Sequence, residues 1–142
     1  MYDFLKPCSS RYSPLLGMLI IINACAAQTP TFNEYAADEI YSDVLQQVDL
    51  SSHPDAGNFA TRLGYSVGEE ANFAGHYIVT YWGCGTSCQM VAIIDAIDGR
   101  IFFPADFTAS YGVCYQRESK LLIINQNPSA PNQCSKSSLT LL

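Results

Sequence analysis

Basic residues are scarce in this chain: seven Lys and Arg stand against thirteen Asp and Glu, a formal net charge of −6 at pH 7. Those beyond residue 26, namely Arg62, Arg100, Arg117, Lys120 and Lys136, are scattered rather than gathered in a stripe. An acidic surface without a basic patch argues against nucleic acid and against anionic lipid headgroups as partners, and permits a basic protein. Histidine is equally rare, at His53 and His76 only, which leaves little imidazole for a zinc site. Long apolar runs are also missing. Leu15 to Ile22 is unbroken, but a helix needs about 20 such residues to cross a bilayer. No internal repeat is present.

That short run has a different meaning where it stands. Lys6 and Arg11 precede it with Asp3 as the single acid, and Asn23-Ala24-Cys25-Ala26-Ala27 follows, with small residues where a signal peptidase cuts. Residues 1–26 read as a secretory signal peptide, with cleavage after Ala26. A second outcome is cleavage before Cys25, because Ile22-Asn23-Ala24-Cys25 resembles a bacterial lipobox; Cys25 would then carry lipid and anchor the protein in the envelope. The mature chain, 27–142, is one small domain without a transmembrane span, periplasmic or secreted.

Removing the leader takes Cys8 and Cys25 away and leaves Cys84, Cys88, Cys114 and Cys134, an even number in an oxidising compartment. Four cysteines allow three pairings. Cys84 with Cys88 and Cys114 with Cys134 is the expected one, since both links close short loops around strand ends. Such links are worth about 2 and about 3 kcal/mol on the chain-entropy model.

Residues 33–49 read as an amphipathic helix. Asn33 can cap it, Glu34, Asp38 and Glu39 suit its first turns, and Ala36, Ile40, Val44 and Val48 recur every fourth residue beside Ala37, Tyr41 and Leu45. Residues 51–75 read as loop with one helical turn around Phe59 to Leu63. Tyr77 to Trp82, Met90 to Ile97 and Arg100 to Phe103 are rich in β-branched and aromatic residues, with Asp98-Gly99 as a two-residue hairpin signal between the last two. Leu121 to Asn125 adds a strand, and residues 125–138 look low in order. The expected fold is α+β: an antiparallel meander of about four strands, one helix packed on it, and disulfide staples.

The chemistry centres on Trp82-Gly83-Cys84-Gly85-Thr86-Ser87-Cys88. Gly83 and Gly85 are expected to supply the positive dihedrals of a hairpin loop there. A CxxxC spacing followed by a strand lacks the helix N-terminus that acidifies a redox thiol, and His76 before the two cysteines fits no common zinc module. No metal or cofactor is expected. Gly64-Tyr65-Ser66-Val67-Gly68 spells the nucleophile-elbow pattern, but without a strand before it or a large sheet around it. His76 is either a base or cleft contact, or an imidazole bonded to a backbone carbonyl. Adjacent Glu69 and Glu70 would point to opposite faces of extended chain and cannot act as a catalytic pair.

Asn72-Phe73-Ala74-Gly75-His76-Tyr77, Trp82-Gly83-Cys84-Gly85-Thr86 and Ser119-Lys120-Leu121-Leu122-Ile123 together resemble a pattern shared by small uncharacterised secreted bacterial proteins. The likeness covers about the central half of the chain and implies no activity. After Asn125 this sequence departs from the pattern, running into Asn132-Gln133-Cys134, which leaves the partner of Cys134 and the last edge strand open. A looser likeness is to periplasmic lysozyme inhibitors, which insert a disulfide-closed loop into a basic enzyme. Their loop carries a histidine, whereas Gly85-Thr86-Ser87 has none.

The sequence thus points to a non-enzymatic binding module of the envelope, taking an unidentified protein or small ligand, with His76, Trp82, Gly85, Thr86 and Ser87 as candidate contacts. An inhibitor of a basic protein or enzyme is one form of this. The alternative is a small envelope hydrolase or thiol-redox protein using His76 with Ser66 or with Cys84 and Cys88.

Overall fold

The computed structural model describes residues 30–104 and 108–124. The expected leader, Cys25, Cys134 and the polar C-terminal stretch lie outside them. The fold is mixed α+β, and the described residues hold one short helix, α1 (Ala60–Gly64), at the turn expected around Phe59 to Leu63, and six strands: β1 (Tyr77–Gly85), β2 (Cys88–Asp95), β3 (Ile101–Phe102), β4 (Thr108–Ala109), β5 (Val113–Gln116) and β6 (Ser119–Ile124). All paired strands are antiparallel. Among the described residues no helix is long and apolar enough to cross a membrane.

β1 and β2 form a long hairpin, with Tyr77 opposite Asp95 and Gly83 opposite Gln89. On the other side of β2, β3 pairs at Ile93 and Ile94 and β4 at Gln89 and Met90. β2 is therefore central and β1 is an edge. The sheet has a core on each face. Ile78, Ala92 and Ile94 pack with Leu45, Ala56 and Leu63, against which Trp82 and Phe59 rest. Val79 and Val91 pack with Phe73 and with Val113, Tyr115 and Leu122 of the β5–β6 hairpin. Burial on both faces explains why Met90 to Ile94 is uniformly apolar instead of alternating.

Three expectations about elements are corrected. The strand at Leu121 to Ile124 belongs to a separate two-stranded sheet with β5, and the first sheet is not a four-strand meander, since β3 and β4 both pair with β2. The hairpin from β2 to β3 closes over four residues, Ala96 to Gly99, with Gly99 N–H donating to Asp95 O and Asp95 N–H to Arg100 O; Asp98-Gly99 does not close it alone.

Residues 33–49 are not a helix: a single 3-10 turn at Phe32–Tyr35 is followed by an extended strap. In a helix Glu34 with Asp38, and Glu39 with Asp43, would be like-charged neighbours four apart, and no Lys or Arg in the segment offsets them. The strap instead spends every fourth backbone N–H on another loop. Ala37 donates to Glu118 O (2.8 Å), Tyr41 to Gly75 O (2.9 Å), Leu45 to Glu69 O (2.9 Å) and Asp49 to Gly99 O (2.9 Å). The apolar period of four is thus a period of docking points. Two of them require glycine, since a Cβ on Gly75 would run into Glu39 O and one on Gly99 into Gln47 O, both residues having positive φ.

Candidate functional site

The tip of the β1–β2 hairpin is built by a register shift. Gly83 faces Gln89 and Gly85 faces Cys88, so Cys84 is the extra residue of a bulge and Thr86-Ser87 is the turn. Cys84 and Cys88 are disulfide-bonded with their Cα atoms 5.1 Å apart, which ties the bulge to the first residue of β2. Positive φ falls on Gly85 and Ser87 rather than on Gly83. Every residue from Gly83 to Ser87 is exposed. Cys114 is disulfide-bonded as well.

Beside the tip, the approach to β5 brings Ser110, Tyr111 and Gly112 alongside Gln89, and an open depression of about 520 Å³ lies between them and the loop. Tyr111 is 70 % exposed on its rim. Gln89, which also lines the depression, has a buried Oε1 with no hydrogen-bond partner among the described residues. Tyr111 stands in a short polar turn with no periodic signal around it; its one cue is an aromatic between Ser110 and Gly112.

The candidate contacts do not form one site. Gly85, Thr86 and Ser87 share the tip. Trp82 points instead into the aromatic group of Phe59 (centroids 5.2 Å apart) and Phe103, so it packs the core face. His76 lies at the far end of the hairpin, some eight residues from the tip, or roughly 26 Å along an extended strand. There its Nε2 is 3.7 Å from Asp95 Oδ2, its ring sits 4.1 Å from that of Tyr77, and its carbonyl accepts from Ala96 N–H. Tyr77 is held above the ordinary tyrosine range by burial first, then by the charges of Asp95 and Asp98.

Ser66 is 1 % exposed in the turn after α1, where no strand precedes it. A hydroxyl so placed cannot meet a substrate without local opening. Among the described residues, no three His, Cys, Asp or Glu side chains gather as a ligand set for a metal ion.

Asn72-Phe73-Ala74-Gly75 has a structural task. Asn72 Oδ1 accepts from Val79 N–H (2.8 Å) and its Nδ2 donates to Val79 O (3.2 Å), so one side chain substitutes for a neighbouring strand. Phe73 enters the second core. Gly75 N–H donates to Arg117 O (2.7 Å), and Arg117 in turn donates to Tyr41 O (2.8 Å) and pairs with Glu70 (3.4 Å). Tyr115, beside this group, is pushed above the ordinary tyrosine range by burial, then by Tyr81 and Glu69. Compared with known proteins, the chain matches no protein-family model, no curated protein and no solved structure.

Proposed function

We propose that this is a secreted or periplasmic binding module of the bacterial envelope, related to the small secreted proteins its motifs resemble, that engages a basic protein through its disulfide-closed hairpin tip. The observation that carries this reading is the tip itself. An exposed loop of small residues is fixed at both ends by a disulfide and set beside a depression rimmed by Tyr111. A fixed loop loses little conformational entropy on binding, and an exposed tyrosine is a common energetic anchor. The net charge of −6 favours a cationic partner.

The test is titration of exported protein against lysozyme, a basic secreted enzyme, by calorimetry and by inhibition of turnover. Thr86→Arg and Tyr111→Ala should each weaken binding by about tenfold or more with an unchanged fold, while His76→Ala should leave it intact. Binding that ignores both tip variants sinks the reading. Intact mass under denaturing, non-reducing conditions supplies the compartment: a start near Ala27 without alkylatable thiols fits soluble export, and added lipid mass fits anchoring through Cys25.

A further inference from the structure

The open edge of β1 offers a second element of recognition. In an antiparallel pair, the backbone groups of successive residues point alternately toward and away from the partner strand. Val79 points away from β2, because its N–H and C=O are held by Asn72, and Tyr77 does too, because its N–H donates to Phe73 O. The same alternation turns Tyr81 and Gly83 outward, up to the bulge at Cys84. No described residue pairs with their outward groups, and both residues are exposed. The edge is thus closed by Asn72 over its first half and open over its second.

Natural edges are commonly blunted by lysine or proline. This one carries neither: no charged residue and no proline occurs from Tyr77 to Ile94. On the side of Asn72, Glu69 is exposed three residues before the side chain that holds Val79. Of the four described Arg and Lys residues, Arg100, Arg117 and Lys120 are already paired with Asp98, Glu70 and Asp38. A second copy of so acidic a chain would meet like charge around the edge, whereas a cationic segment would meet opposite charge.

We infer that the edge of β1 at Tyr81 and Gly83 binds an extended, lysine- or arginine-bearing segment of the partner as an added strand. The inference rests on the basic-partner reading above and assigns its binding mode. Main-chain hydrogen bonds to Tyr81 and Gly83 hold the segment, and its cationic side chains face the Glu69 side.

The experiment uses the exported protein and a short synthetic peptide of alternating lysine and valine, followed by calorimetry and by hydrogen exchange of individual amides. The peptide should bind and slow exchange at Tyr81 and Gly83. The same peptide N-methylated at alternate backbone nitrogens should bind about tenfold more weakly or worse, and an alternating glutamate and valine peptide should not bind. Equal binding of the methylated peptide, or no protection at Tyr81 and Gly83, overturns strand addition while leaving a basic partner in place. Failure of the lysine peptide, or equal binding of the glutamate one, overturns both. Sedimentation showing a dimer that protects the two amides without peptide assigns the edge to a second copy and overturns the inference.

Discussion

The carbonyl oxygen of Glu39 occupies the space in which a side chain on Gly75 would begin. The contact locks the strap against the turn before β1, and Tyr41 N–H donating to Gly75 O fastens it from the other side. Gly75→Ala must therefore displace the strap as well as strain a φ of 85°. A loss of about 3 kcal/mol or more is expected in urea denaturation. Gly68→Ala is the control: it has a similar φ of 87° but open space around it, so about 1 kcal/mol is expected from strain alone.

Asn72→Ala removes the group that satisfies both backbone atoms of Val79. The expected cost is about 1–3 kcal/mol, with faster hydrogen exchange at the Val79 amide than at its neighbour Ile78. Unchanged exchange at Val79 would mean that the side chain does not serve as a strand substitute.

Ser119 and Lys120 are adjacent on β6, and the first reaches the 3-10 turn at Phe32–Tyr35 while the second reaches the strap behind it. Ser119 Oγ, buried, donates to Phe32 O (2.8 Å) and accepts from Leu121 N–H (3.2 Å), whereas Lys120 makes an exposed pair with Asp38. Ser119→Ala should cost about 1–3 kcal/mol, and Lys120→Ala less than about 1 kcal/mol, falling further with salt. Equal costs would show that burial is not what separates them.

Tyr77 and Tyr115 both have hydroxyls raised above the ordinary range, chiefly by burial. A raised acid binds its proton more tightly when folded than when unfolded. The stabilising contribution is therefore complete below the unfolded pKa near 10 and is lost as pH rises through the folded values. Stability should fall on the alkaline side of about pH 10, and Tyr115→Phe, at the more buried of the two, should flatten that slope in denaturation measured at successive pH values.

Replacing Cys84 and Cys88 by Ser opens only a short loop, so the expected loss is about 2 kcal/mol, with the β1–β2 ladder intact. Binding at the tip should fall by far more than stability does, since the bulge would no longer be fixed. Parallel loss of both would reduce the disulfide to a stabilising role.

Strands β1 and β2 were legible in the sequence because β-branched and aromatic residues dominate Tyr77 to Trp82 and, with other apolar residues, fill Met90 to Ile94. The disulfide at the tip was legible because a hairpin must turn where Gly83 to Ser87 stand, and cysteines so close in sequence leave little room for another geometry. The position of Trp82 was not. Alternation fixes that Tyr81 and Trp82 point to opposite faces, but only the arrival of Phe59 and Phe103 decides that the face of Trp82 is core. His76 is separated from the tip by strand length alone, a distance that the residue spacing between His76 and Cys84 already contains.

The strap marks the boundary between the two kinds of information. Its apolar period of four was in the sequence, and so was the repulsion between Glu34 and Asp38 that weighs against a helix. That its backbone N–H groups would find Glu118, Gly75, Glu69 and Gly99 depends on four loops brought together by two separate sheets. Local sequence determined the strands, the turns and the short cross-link, because their hydrogen bonds and closure involve neighbours along the chain. Tertiary structure decided the strap, the burial of Ser66 and the half-open edge of β1, because each depends on which distant backbone group arrives to compete for the same hydrogen bond or the same space.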